Sequence, residues 1–371
     1  MKENLRRELR LVYSTREQTQ DGKRLTGLDM ARGIAIIMVV IGHSGFVGTA
    51  FNTWISLFHL PTFFLISGAL LGLKQEENRP FSRLAGQKFR GILVPYFWFS
   101  LGSIVIDMLQ VLLGKFTWET VWEHTFQTIT FQGYSVLWFL PVLFLAELLL
   151  ILLLKAIKLL PLPSLYRTLL AIIITTGCAF GAYYVYQGFI LVPSSAFFLP
   201  YLRIPAKALI GAAFMSYGYG LSSILAKEKT SLYKWLVCFL GALLFSINFI
   251  VLSKAGLMDL NNLNLQNPVT YLLLGTTGGI GCILLCMSIP NIPLLTFWGQ
   301  NSLIIMCTHM NFYVMYFSML FNLFLVPRLP GASDTMYAVF SLAGTFVLSI
   351  AVIVVIRVFF PFTLGKKYHR L

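Results

Sequence analysis

Runs of about 20 mostly apolar residues, long enough to cross a bilayer as a helix, follow one another along nearly the whole chain with short polar stretches between them. Ten such segments are read: 26–47, 51–73, 91–113, 135–154, 168–190, 206–226, 235–253, 269–289, 300–325 and 336–358. The apolar/polar alternation over about ten residues that marks a barrel strand does not recur. The expected fold is therefore all-α, a polytopic integral membrane bundle of about ten transmembrane helices. Composition agrees: 57% of the 371 residues are hydrophobic and 11% charged, against about 25% charged in soluble domains. This excludes an ordinary globular enzyme, and the apolar content excludes disorder despite a net charge of +14.

Short cytoplasmic loops retain Lys and Arg, so the distribution of basic residues orients the bundle. With the N-terminus inside, cytoplasmic segments hold 21 of the 28 basic residues: seven in the N-terminal tail, five in 74–90, and three each in 155–167, 227–234 and the C-terminal tail. Outer segments hold Lys115, Arg203, Lys207, Lys254 and Arg328, while Arg32 and Arg357 lie within spans. Both termini are expected in the cytoplasm. The domain plan is a basic tail over 1–25, a membrane domain over 26–358 and a second basic tail over 359–371. The tail lacks the apolar core and cleavage site of a signal peptide. Basic residues spread over loop ends form no aromatic-interleaved patch, so no nucleic acid partner is expected; membrane lipids are.

All five cysteines fall within spans, where Cys packs as a small apolar residue. Cys282 and Cys286 share a helix face without His or carboxylate neighbours, so no metal site is expected. Gly275, Gly278, Gly279 and Gly281 fit small-residue helix packing better than a phosphate loop. The 114–134 segment carries Trp118, Val121, Trp122 and Phe126 at helical spacing and is expected to lie flat on the outer interface, with His124 on a solvated polar face.

Ionisable residues inside a membrane are costly and are functional candidates. Asp29 and Arg32 are three apart and can pair on one helix face. His43 follows Arg32 by eleven residues, which brings it back to within roughly 20° of the same direction and about 16 Å higher. Arg32 and His43 thus line one stripe, Arg toward the cytoplasm and His toward the outer leaflet; the plainer reading has each reaching for its nearer interface. His59 stands two residues before Pro61 and is either catalytic or bonded to the carbonyl that Pro61 frees. Glu147 and His309 are further candidates, each also explicable by a single helix-to-helix hydrogen bond.

Arg32, ten residues and His43 resemble the Arg-x10-His motif of the membrane acyltransferase-3 family. FHLPTFFLISG resembles its second-span signature, and KFRGILVPY, LWFLPVLF and WGQNSLIIMCTH are similar to further blocks through most of the chain. Within the family the chain looks most like stand-alone fucose 4-O-acetylase-like O-acetyltransferases. The resemblance implies an acyltransferase that takes an acetyl group from cytoplasmic acetyl-CoA, the donor, and passes it to a sugar hydroxyl on an envelope glycan or lipid-linked sugar. His43 would be the essential histidine and Arg32 its paired arginine. The family's Arg-x-x-Arg is altered, Gln87 standing before Arg90, so donor phosphates are assigned to Arg83, Lys88 and Arg90. A neutral His43 would act as general base or accept the acetyl group itself. The expected location is the cell membrane, a bacterial plasma membrane.

A proton-coupled transporter competes, since ten helices with buried Asp, Arg and His would suit it, but inverted repeats with broken helices in both halves should then appear. The second half has no counterpart of Asp29, Arg32 and His43. A non-catalytic glycan-export partner is the third reading.

Overall fold

The computed structural model describes residues 25–44, 50–192, 197–226, 231–251, 256–328 and 333–365. The basic residues of both tails lie outside these residues. In chain order the helices are α1 (Thr26–Gly42), α2 (Ala50–Leu73), α3 (Phe81–Lys88), α4 (Val94–Leu112), α5 (Trp118–Ile129), α6 (Phe139–Lys158) and α7 (Ser164–Ile190). They continue with α8 (Leu199–Leu225), α9 (Ser231–Val251), α10 (Pro268–Ser288), α11 (Pro293–Gln300), α12 (Ser302–Thr308), α13 (Val314–Leu325) and α14 (Asp334–Phe359). No strand occurs among the described residues; Asp259 and Asn264 form one isolated antiparallel bridge. Eight helical stretches are long and apolar enough to cross a membrane. The chain is an all-α, multi-pass membrane bundle.

α2 lies at the centre, packed on α1, α8 and α10. Its approach to α8 is close enough that a Cβ on Gly68 would run into the Met215 carbonyl and one on Gly218 into that of Leu65. Small residues let helix backbones come this near in a lipid environment. The glycines of α10 serve the same end, facing Phe214, Phe58, Leu65 and the backbone of Gly241.

Two departures from regular helix shape the bundle. Pro95 has no N–H to give the carbonyl four residues back, and the ladder widens to a π turn over Phe89–Leu93 between α3 and α4. The chain's last described turn, Pro361–Leu364, packs against it: Trp98 meets Phe362 edge-on, and Gly365, at φ 67°, lies on the Arg90 carbonyl where a Cβ has no room.

The second departure corrects an expectation. The segment 300–325 is not one helix but is broken twice, at Asn301 and at 309–313, where Tyr313 takes φ 57°. Breaks free carbonyls that lipid cannot satisfy, so they persist only inside protein. Here Arg357 of α14 donates from Nη2 to the Gln300 carbonyl at 3.1 Å, and Asn301 Nδ2 donates to Phe297 O at 2.8 Å. The intramembrane Arg357 thus has a structural partner.

Candidate active site

At the C-terminal end of α1 the backbone N–H of His43 turns to Val40 O, at 3.2 Å, and the ring takes over the vacated acceptor: Nδ1 donates to Val39 O at 2.8 Å. Where α12 stops, His309 donates from Nδ1 to Ile305 O at 2.8 Å, a carbonyl that also accepts from the His309 backbone N–H at 3.0 Å, and His59 donates from Nδ1 to Ile55 O at 2.6 Å. An imidazole nitrogen at this distance from a carbonyl carries the proton, so Nε2 of each neutral ring holds a lone pair. His309 Nε2 then accepts from His43 Nδ1–H at 3.4 Å, the ring centres being 5.2 Å apart. His309 is fully buried and His43 exposed. Two donor contacts hold the His43 ring, and its Nε2 has no protein partner among the described residues.

The helix break makes this meeting possible, because it ends α12 at His309 instead of carrying the chain past His43. His59 lies within electrostatic reach of His43. Its bond to Ile55 O differs from the expected link to the carbonyl freed by Pro61, which is that of Leu57.

Toward the N-terminal end of α1, Arg32 Nη1 stands 3.9 Å from Asp29 Oδ1, with the Asp29 backbone packed on Gly299 of α11. The donor-side residues divide. Lys88 Nζ is 2.7 Å from Glu76 and 3.2 Å from Glu147, so this cation is committed to two buried carboxylates and Glu147 belongs to that cluster. Arg83 and Arg90 are exposed on the same face, with no ion pair among the described residues. No group of three or more His, Cys, Asp or Glu capable of holding a metal occurs among the described residues.

A family model described as an acyltransferase domain matches residues 25–354. The chain belongs to the acyltransferase-3 family. No curated protein and no solved structure matches it. Membership makes the bundle a membrane acyltransferase and favours acyl transfer over transport or a passive export role. The matched region contains both α1 and the broken segment, and so both histidines of the pair.

In this acyltransferase several polar residues escaped the sequence reading. His124 does not face solvent: α5 turns it inward, where Nδ1 donates to the buried Asp107 of α4 at 2.8 Å and its ring stacks on Tyr134 with centres 3.4 Å apart. The outward face of α5 is instead Trp118, Trp122, Phe126 and Ile129, while Val121 is buried beside His124. Asp107 met the same intramembrane criterion that picked out Glu147. Asp259 carried no sequence signal. It sits in the loop between α9 and α10, pinned to α2 by Met258 N donating to Ser56 Oγ at 3.3 Å, one turn from His59.

Proposed function

We propose that this acyltransferase moves an acetyl group from acetyl-CoA, bound on the cytoplasmic side, to a sugar hydroxyl of a cell-envelope or lipid-linked glycan, in a bacterial plasma membrane. The observation that carries the reading is the His43 ring, fixed through Nδ1 and open at Nε2. A sugar hydroxyl placed at Nε2 gives up its proton there, its oxygen attacks the thioester carbon, and the C–S bond breaks as the proton passes on to the departing CoA thiolate, which leaves the ring neutral again. His309 is a positioning residue: by accepting from Nδ1–H it holds the ring and favours the positive charge that Nε2 acquires. Arg32, on the His43 stripe and paired with Asp29, marks the cytoplasmic end of a path for the thioester, and Arg83 and Arg90 are the cations left for donor phosphates. His59 supplies a second lone pair near the acceptor.

Transfer of labelled acetyl from acetyl-CoA to envelope glycan by the purified enzyme tests the proposal. His43→Ala should lower the rate by about 10²–10⁴ while the protein remains folded, as expected for removal of a placed acid–base group. Wild-type transfer should fall in acid as the imidazole is protonated, because only the neutral ring accepts a proton. Undiminished transfer by well-folded His43→Ala would remove His43 from the chemistry.

A further inference from the structure

Lys207 is one of the most buried charged side chains in the molecule, 2% exposed, and among the described residues it has no ion pair. Its Nζ donates to Asn261 Oδ1 at 3.0 Å and lies 4.1 Å from the centre of the Trp138 ring. An ammonium has three protons to donate, and one amide oxygen and one aromatic face are poor compensation for a charge withdrawn from water. One turn earlier on α8, Arg203 also meets neutral groups, Nε donating to Tyr186 OH at 3.0 Å and Nη1 to Asn262 Oδ1 at 3.4 Å.

The nearest carboxylate is occupied elsewhere. Asp259 accepts from Asn261 N at 2.8 Å, Asn262 N at 3.3 Å and Asn262 Nδ2 at 2.7 Å, and so holds its own turn together. Lys207 reaches it only through Asn261. Two cations therefore face one carboxylate in a buried setting on the outer side, where membrane proteins carry few basic residues. The cluster adjoins the candidate site: the loop that carries Asp259 is pinned to α2 by Met258 N donating to Ser56 Oγ at 3.3 Å, one turn from His59.

We propose that the acceptor carries an anionic oxyacid group, a sugar carboxylate or a phosphate, which docks on Lys207 and Arg203 and thereby presents a neighbouring hydroxyl to His43. The proposal deepens the glycan-acceptor reading above and rests on it for the hydroxyl's fate, but not for the binding. Charge-assisted hydrogen bonds from two cations fix the orientation of a planar or tetrahedral oxyanion, and the missing counter-charge becomes part of substrate recognition.

The test is calorimetric binding to the whole protein in nanodiscs without donor. Three probes are compared: an oligosaccharide containing glucuronic acid, the same oligosaccharide with its carboxyl reduced to the alcohol, and the reduced form carrying a sugar 1-phosphate. An anionic probe is expected to bind about 10–100-fold more tightly than the reduced one, as for hydrogen bonds to a charged group. That preference should disappear in Lys207→Gln and shrink in Arg203→Gln. Preference for the glucuronate probe alone identifies a sugar carboxylate, and for the phosphate probe alone a lipid-linked phosphate. Equal binding of all three probes by the wild type overturns the proposal, as does a folded Lys207→Gln that keeps the preference. If Lys207→Gln does not fold, the wild-type comparison and Arg203→Gln still decide. Tight binding of an anionic probe that is never acetylated would count against the proposed chemistry and leave the anion site standing.

Discussion

Two lysines, Lys88 on the side proposed to be cytoplasmic and the buried Lys207 on the side proposed to be outer, sit in opposite company. Lys88, partly buried, has two carboxylates within 2.7 and 3.2 Å. Lys207, on the outer side, shares its surroundings with a second cation and has one carboxylate that it touches only through an amide. The inner cluster has its counter-charge inside the fold and ties the 76–78 turn to α6, where Lys155 donates to the Glu77 and Arg79 carbonyls and Lys158 to Asn78 Oδ1. The outer cluster lacks its counter-charge. A buried cation that is already balanced holds structure; one left unbalanced has charge to offer a ligand.

The comparison breaks most sharply on stability. Lys88→Met leaves Glu76 and Glu147 buried without their cation and should cost about 3–5 kcal/mol, whereas replacing all three with neutral residues should restore most of it. Lys207→Met, which removes an uncompensated charge, should melt no lower than wild type. Thermal unfolding of the three variants decides, and an unchanged melting temperature for Lys88→Met would erase the distinction.

A smaller effect is expected from the cations of the inner face that the cluster does not use. Arg83→Ala and Arg90→Ala together should raise the KM for acetyl-CoA about 10-fold with kcat nearly kept, because a phosphate contact is made before the transition state. Surface substitutions of this kind move stability by no more than about 0.5 kcal/mol. Unchanged donor KM would place the donor phosphates elsewhere on the cytoplasmic face.

The smallest effect concerns Glu77, next to the inner cluster, whose carboxyl is pushed above its ordinary range chiefly by burial. The folded protein then holds this proton more tightly than the unfolded chain. Below the ordinary carboxylate pKa both states are protonated and nothing is lost; as pH rises through the ordinary value toward the raised one, the fold loses stability. Glu77→Gln should therefore match wild type in melting at low pH and exceed it slightly near neutrality. A lower melting temperature for Glu77→Gln near neutrality would show that the charged form is favoured.

The sequence revealed what depends on neighbours along the chain. Apolar runs located the helices, and the three-residue spacing gave the Asp29–Arg32 pair, because both are local properties of a single helix. The break in 300–325 was hidden, since residues 301–313 contain neither Gly nor Pro. What sustains it is tertiary: Arg357, 57 residues beyond Gln300. The His43–His309 pair joins positions 266 apart, and no pattern in either segment names the other. Lys88 and Lys207 looked alike as basic residues at helix ends, and only partners from distant segments separate them. His124 was misread because α5 is amphipathic with its oily face outward, the reverse of a soluble helix.

The crossing of α1 with α11 has a consequence for how the protein is made. Gly33 lies against the Leu295 backbone and Asp29 against Gly299, so during synthesis α1 finds this partner only after some 250 further residues, about 10–50 s later at about 5–20 residues per second. Throughout that interval α1 carries a carboxylate and a guanidinium in its first two turns without α11 against them. Spaced three apart, Asp29 and Arg32 can neutralise each other before any other helix arrives. The pair is thus a chaperone carried within the helix: it keeps α1 membrane-competent until the late half-helix docks, and only then brings His309 to His43.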